Sequence, residues 1–446
     1  MSLKMVLAVP FILIAFAWFV VSPSSAQPAE GDWNKVPLTS LRVGVGKADI
    51  TPVVGMDLGG YAARDAPSIG VYDPLYVVAL LFEEGDTRAA ILGFDTLRLS
   101  SEDGAAIRKV IKEKTGARDE HILLNASHTH GAVRISTNSE YRDQVLEGVG
   151  AAMDEALAGL APCSLGYGVG EVDFNISRRT LNEEGICRSA LNPEGIADHR
   201  LKVLRFDQDD SVEPFAVLMH MACHPNAFSS PNLEFSGDFV SVGRTFLEKN
   251  FGGKTKGLFL QGCAGDLRPN MPPIGGGDGW RHASEAGMTW CGFTLGAEAI
   301  QVSTRLRVHE HLIQRATSFP IRGATRTAWL EPDPAKLTQF PDDFYETLEE
   351  GKIPLSLRAL SIGDLLFIAL PGEPVIEYAL RIEEDLAPLG KQVFVLGYSD
   401  ADTGYIPVEH MIAEGGYETN GPYTSSAESR IRETVAGMAR ELFPRE

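Results

Sequence analysis

LYVVALLFEEGDTRAAILGFDTLRL (residues 75–99) is followed by SEDGAAIRKVIKEKT (101–115) and HILLNASHTH (121–130), and this succession decides the fold class. Val77–Phe82 and Ala89–Phe94 are apolar runs of strand length, separated by the turn Glu84-Gly85-Asp86. Residues 101–115 open on a serine and acids, then repeat apolar positions at helical spacing. HILLNAS returns to a strand, and DQVLEGVGAAMDEALAGL (143–160) to a helix. Strand, helix, strand, helix is the order of an α/β protein.

The rest of the chain continues in kind. LKVLRFDQDD (201–210) and EPFAVLMHMACHP (213–225) read as two strands, residues 240–251 as a helix, and KGLFLQGCAGD (256–266) as a strand running into a Gly-rich loop. Residues 286–305 are helical, 357–374 form a hairpin around Gly363-Asp364, 375–386 a helix, 391–400 a strand, and 426–443 a closing helix. GGGDGW (275–280) reads as a flexible loop. No internal repeat or linker divides the chain. The expectation is an α/β fold with a mixed β-sheet core, flanking helices and long functional loops, in one large catalytic domain over 41–446.

The chain has 446 residues, 44% hydrophobic and 22% charged, with a formal net charge of -20. That acidity excludes the basic stripe that nucleic acid demands. The first 26 residues carry one early cation, Lys4, a long apolar stretch from Met5 to Val21 and small residues ending in Ser24-Ser25-Ala26. This is the pattern of a secretory signal, or of an anchor if left uncleaved. The expectation is export, with residues 27–40 as an exposed leader. Five cysteines, Cys163, Cys187, Cys223, Cys263 and Cys291, leave at least one thiol unpaired and match no C-x-x-C metal pattern.

The apolar strands repeatedly end in polar segments: Asp95 after GF, His128 and His130 in NASHTH, His224 in ACHPN, Asp266 in QGCAGD, Glu373 in LPGEP, and Tyr405 after GYSDADTG. Loops at the carboxyl ends of strands gather working groups. If residues 122–130 stay extended, His128 and His130 share a face, because strand side chains alternate. His128, His224 and Glu373 offer two nitrogens and a carboxylate, the donor set of a catalytic zinc with an open position. An isolated H-x-H is also a common polar strand end, and a lone His220 or His224 is also a satisfied core histidine. Asp95, Asp238 and Asp266 are candidates to orient these groups or to cap Gly turns. H-E-x-x-H, G-x-S-x-G, the P-loop and the dinucleotide fingerprint are absent.

Together, VGVGKADITP with LGGY (58–61), GFDTLRL, NASHTHGAV, NISRRT (175–180), ACHPN, FSGDFV, LQGCAGDLRPN, LPGEP and DTGYIP with GGYE (415–418) resemble, in order, the neutral/alkaline non-lysosomal ceramidase family. The resemblance covers roughly residues 42–420. It implies one catalytic Zn2+ held by His128, His224, Glu373 and Tyr405, with His130 facing the reacting water or substrate and Arg178 assisting. The tyrosine comes from the resemblance alone. The implied reaction is hydrolysis of the N-acyl amide bond of ceramide or a related N-acyl lipid, so the implied partner is a small amphipathic lipid-like substrate, with peripheral membrane contact. Oligomeric state stays open. An esterase or lactonase on the same site, or an exported binding protein of the same fold, are the rival readings.

Two departures stand out. The family's SHTHSGP is SHTHGAV here, and Ser177 replaces the family's asparagine beside Arg178. The chain also resembles a short form, without the C-terminal β-sandwich domain of the longer ceramidases.

Overall fold

Three β-sheets turn one face each toward a common core and carry helices on the other. The computed structural model describes residues 40–208, 212–271, 284–308, 313–314, 318–337 and 348–444, and residues 36–446 form one compact unit. The signal and nearly all of the leader, and the Gly-rich loop at 275–280, lie outside the described residues.

The first sheet runs in the order Ile122–Ala126, Thr87–Phe94, Tyr76–Glu84, Arg42–Asp49, Ala161–Pro162. The second runs Lys256–Gln261, Ala216–Met221, Arg200–Asp207, Ser164–Glu171, Ile313–Gln314. The third runs Ile321–Leu330, Ile353–Ile362, Leu365–Ala369, Gln392–Leu396. Val78, Leu80 and Phe82 of the first sheet, Leu204, Phe206 and Leu218 of the second, and Leu360, Phe367 and Phe394 of the third pack in one central cluster. The alternate residues Val77, Ala79 and Leu81 face outward into the cluster that holds Ile107 and Ile111 of the helix Ser101–Thr115 and Val145 and Val149 of the helix Ser139–Ala158. Burial on both faces explains why these strands read as unbroken apolar runs rather than alternating ones. Each large apolar side chain so buried contributes about 1.5–3 kcal/mol.

Helix ends follow local chemistry. Ser100 caps Ser101–Thr115 in a capping box with Asp103, and Gly116 closes it in the left-handed conformation. The second helix begins at Ser139, capped by Asn138, four residues before the hydrophobic pattern suggested. Sequence pattern also passed over the long strand Ile321–Leu330 and the hairpin Asn175–Leu181/Cys187–Asn192, both rich in exposed or polar positions.

Most strand pairs are antiparallel, yet each large sheet ends in one parallel pair. The outer strand of each pair is an edge: Ile122–Ala126, Lys256–Gln261 and Gln392–Leu396. These three edges meet at their carboxyl ends. The Asn125 amide donates to the carbonyls of Gln261 (3.2 Å) and Gly397 (2.7 Å), and Gln261 N–H donates to Asn125 Oδ1 (2.7 Å). The Gln261 side chain then donates to the carbonyls of Ser127 (2.9 Å) and Cys223 (2.8 Å). Two buried amides thus bind the loops after the strands Ile122–Ala126 and Ala216–Met221 to one point.

Among the described residues no helix is long and apolar enough to cross a membrane. All five cysteines are buried, and no disulfide joins them.

Candidate active site

The extended run expected over 122–130 ends early. The strand stops at Ala126, and His128 takes a left-handed φ of 66°. Alternation therefore does not align His128 with His130; a local turn does, leaving their Nε2 atoms 3.4 Å apart. Such a conformation is uncommon for a residue with a Cβ. Here His128 N–H donates to Thr96 O (3.1 Å) and the ring Nδ1 to Leu97 O (2.7 Å).

A carbonyl only accepts, so His128 carries its proton on Nδ1 and turns the Nε2 lone pair inward. His224 is held the same way, with Nδ1 against the carbonyls of Ala264 (2.6 Å) and Leu267 (3.1 Å). Glu373 Oε2 lies 3.1 Å from His128 Nε2 and 3.3 Å from His224 Nε2. Burial pushes His224 down to about 4, so the ring is neutral at neutral pH. Burial opposes the Glu373 anion, but the two imidazoles hold its carboxyl well below the usual range. Three ligand atoms therefore converge in a dry place, and His224 Nε2 and Glu373 Oε2 are left without a hydrogen-bond partner. A buried acceptor cluster of this kind is costly alone and is what a cation relieves. Two neutral imidazoles and a carboxylate, each ring fixed by a backbone carbonyl, fit zinc. The ligand nitrogens of His128, His130 and His224 lie within 4.8 Å of one another, so His130 stands close enough to join that set.

His130 is about 9% exposed, and burial first, then the His128 and His224 charges, push it well below its ordinary value. Its Nδ1 has no partner. Tyr61 meets its ring edge-on at 4.7 Å, and Arg64 donates to its carbonyl (2.5 Å). Gly60 lies so near that a Cβ would sit 2.5 Å from His130 Cγ, so the loop over the site requires glycine there. The departure at Gly131 has a similar cause: a Cβ would stand 2.4 Å from Ser236 O, where the two backbones bridge.

Arg178 and Tyr405 are brought to the same place. Glu373–Pro374 pairs in parallel with Tyr405–Ile406, which sets Glu373 opposite Tyr405. The Tyr405 ring stacks near His224 (6.5 Å, 15°), and the Arg178 guanidinium sits 5.4 Å from the Tyr405 ring centre. Arg178 donates to Glu418 Oε1 (2.8 Å) and to Gly265 O (2.5 Å), and bonds the Tyr405 hydroxyl. Burial and the Glu373 charge raise the Tyr405 phenol despite Arg178, so it stays protonated. Tyr417 packs on Tyr405 (5.1 Å).

The sequence pattern did not single out Glu418, Tyr398 or Tyr61. Glu418 binds both Arg178 and Arg179; the GGYE segment quoted with DTGYIP was its only trace. Tyr398 lies 4.3 Å from the His128 ring with a buried, unpartnered hydroxyl.

None of the three aspartates bonds an imidazole among the described residues: Asp95 orients an arginine, and Asp238 and Asp266 hold backbone N–H groups. Asp95 makes a two-point pair with Arg244 (2.6 and 3.0 Å). Asp238 accepts from Phe228 N–H (2.8 Å) and fixes the loop after His224. Asp266 accepts from Ile376 N–H (2.8 Å), at the start of the helix after Glu373. Cys263 is buried and its thiol is pushed well up by burial, which removes a nucleophile role. His220 is a core histidine on Val395 O (3.1 Å).

The family model described as neutral/alkaline non-lysosomal ceramidase, N-terminal, matches residues 41–276, a span that contains His128, His130, Arg178 and His224. The neutral ceramidase of Mycobacterium tuberculosis is 22% identical over 494 aligned positions, covering 90% of this chain and 77% of that protein. The crystal structure of neutral ceramidase from Pseudomonas aeruginosa superposes with a TM-score of 0.73 at 19% identity, over 92% of this chain and 76% of that one. A structure titled ceramidase complexed with C2 gives 0.73 at 18% identity over the same shares. With the sequence match extending over more than half of its length and the fold shared, the chain belongs to the neutral/alkaline non-lysosomal ceramidase family.

Proposed function

We propose that the protein is an exported, zinc-dependent hydrolase that cleaves the N-acyl amide bond of ceramide or a related N-acyl lipid. Membership of a ceramidase family supports an amide hydrolase. The observation that carries the zinc is the unshared set of His128 Nε2, His224 Nε2 and Glu373 Oε2 at 3.1 and 3.3 Å.

His128, His224 and Glu373 would hold the ion, with Tyr405 at its open side. Bound zinc supplies Lewis acidity, which polarises a carbonyl and acidifies water to near neutrality. His130, neutral and with Nε2 turned toward His128, accepts a proton from the attacking water. Arg178, locked by Glu418, and the Tyr405 hydroxyl it orients stabilise the oxygen on which negative charge develops. One water is consumed, the carbon–nitrogen bond breaks, and the nitrogen leaves as an amine.

A lipid must reach this site. Gly55 N–H donates to Ser68 O (3.1 Å) and Ser68 N–H to Met56 O (2.9 Å), which draws Val53, Val54 and Ile69 together at one tip. Val53 is 70% and Ile69 71% exposed, and residues 57–62 beside them line the cleft over His130. Such a tip suits shallow insertion into a lipid surface.

Elemental analysis of the purified protein and hydrolysis of N-acylsphingosine with and without a chelator test the proposal. About one zinc per chain and a chelation-sensitive activity are expected. A metal-free protein with undiminished amide hydrolysis would sink it.

A further inference from the structure

Outside the ligand cluster lies a cleft of about 430 Å³ whose lining includes Asp57, Tyr61, Arg98, Arg134, Thr137 and Tyr417. It adjoins the catalytic groups directly: Tyr61 touches the His130 ring and Tyr417 the Tyr405 ring. Arg98 also lines the small inner cavity against His128 and Glu373. The polar part of a bound amide therefore lies among these residues.

In a chain of net charge -20, cations at this rim call for an explanation. Arg98 pairs with Asp402, but its Nε is buried with no partner. Arg134 is exposed, and among the described residues its guanidinium makes no hydrogen bond and no ion pair; partial desolvation and then the Arg98 charge disfavour its cation, against the pull of Asp402. Asp57 is the one carboxylate in the lining. Arg134 also directly follows Gly131-Ala132-Val133, where the chain leaves the family's SHTHSGP pattern. Arg134, an unpaired guanidinium on the wall of a cleft beside the reaction centre, with Arg98 as its neighbour, offers a receptor for an oxyanion.

We infer that this cleft selects N-acyl substrates whose polar half carries an oxyanion, a carboxylate or a phosphate, with Arg134 as the specificity-determining residue and Arg98 as its neighbour. The inference rests on the amide-hydrolase reading and narrows its substrate class. An uncharged head leaves Arg134 in water, whereas an anionic one exchanges that water for a two-point contact.

Equilibrium binding to the zinc-loaded full chain tests it without requiring turnover. The probes are N-lauroylethanolamine, N-lauroylglycine and N-lauroyl phosphoethanolamine, which share one acyl chain and differ in head charge. At low salt at least one anion is expected to bind about tenfold more tightly than the ethanolamide, a margin that shrinks at about 0.5 M salt as charges are screened. The carboxylate and phosphate arms tell which oxyanion is preferred. Arg134→Gln is expected to bring that margin to within about twofold, and Arg134→Lys to keep part of it. Equal affinity for charged and neutral probes in the unaltered protein, or a margin that survives Arg134→Gln, overturns the inference. Cleavage of N-acylsphingosine without any charge margin defeats this inference alone. Anion binding with no amide cleavage defeats the hydrolase reading alone.

Discussion

Two buried charged clusters in this molecule look alike by burial and differ in how their polar atoms are used. Arg205 and Asp207, both about 2% exposed, form a two-point pair at 2.7 to 3.0 Å, and the remaining arginine donors reach the carbonyls of Ser303 and Val212. Donors and acceptors are matched there. At His128, His224 and Glu373 each Nδ1 is used on a backbone carbonyl, and the two Nε2 atoms and Glu373 Oε2 are turned on one another. A matched pair holds the fold together; an unmatched set of acceptors awaits a cation.

Glu373→Gln should break the contrast most sharply. Hydrolysis should fall by about 10³-fold or more as zinc is lost, because a metal ligand and its charge disappear together. The metal-free protein should melt no lower than the unaltered chain, and up to about 1 kcal/mol more stably, because the new amide can donate to an imidazole. Calorimetry of both apo proteins checks this, and a marked destabilisation would make Glu373 a structural residue. Asp207→Ala should do the reverse. It should cost about 3–5 kcal/mol in urea unfolding by stranding Arg205, while kcat/KM of the folded fraction stays as it was.

Glu418 joins the two kinds of cluster, being matched to Arg178 and Arg179 yet adjacent to the site. Glu418→Gln should lower kcat about 10–100-fold with KM little changed, since Arg178 loses its anchor rather than its presence. A fall confined to stability would place Glu418 with Asp207 instead.

Titration sharpens the comparison further. Burial, aided by the Glu418 charge, raises buried Asp266 to about 7 against the pull of Ile376 N–H and Arg178, from an ordinary 3.8. Between those values the folded chain holds a proton that the unfolded chain has lost, so this group's contribution falls as pH rises from about 4 to about 7 and is flat above. Asp266→Asn should flatten that slope, measured as the stability difference between about pH 5 and about pH 8. An unchanged slope would mean that Asp266 is ionised in the fold throughout.

The smallest effect belongs to the surface. Replacing Val53 and Ile69 by serine should lower hydrolysis of vesicle-borne substrate about three- to tenfold, by removing apolar area from the lipid contact, and leave detergent-dispersed substrate untouched. Equal losses in both would end the membrane role of the tip.

Much of the fold was legible because it rests on local rules. The helix at 101–115 has its cap and its acids in sequence, and the strands at 77–82 and 89–94 are apolar on both faces because both faces are buried. The strands at 175–181, 187–192 and 321–330 were not, because their exposed and polar positions mask the pattern. At the site, the histidines and Glu373 were readable as strand-end polar residues. Their alignment was misread at His128, where a left-handed turn replaces strand alternation.

The sequence alone determined which residues could do chemistry here: acceptors at strand ends, apolar runs to bury, and the cap that starts the helix Ser101–Thr115. Those are interactions between near neighbours in the chain. Only the tertiary structure decided that three sheet edges meet at Asn125 and Gln261, that Glu373 lies 3.1 Å from His128 across 244 intervening positions of chain, and that Arg134 overlooks the result without a partner among the described residues. Such placements come from packing three sheets against one core, a sum of many weak non-local contacts that no short window of sequence contains.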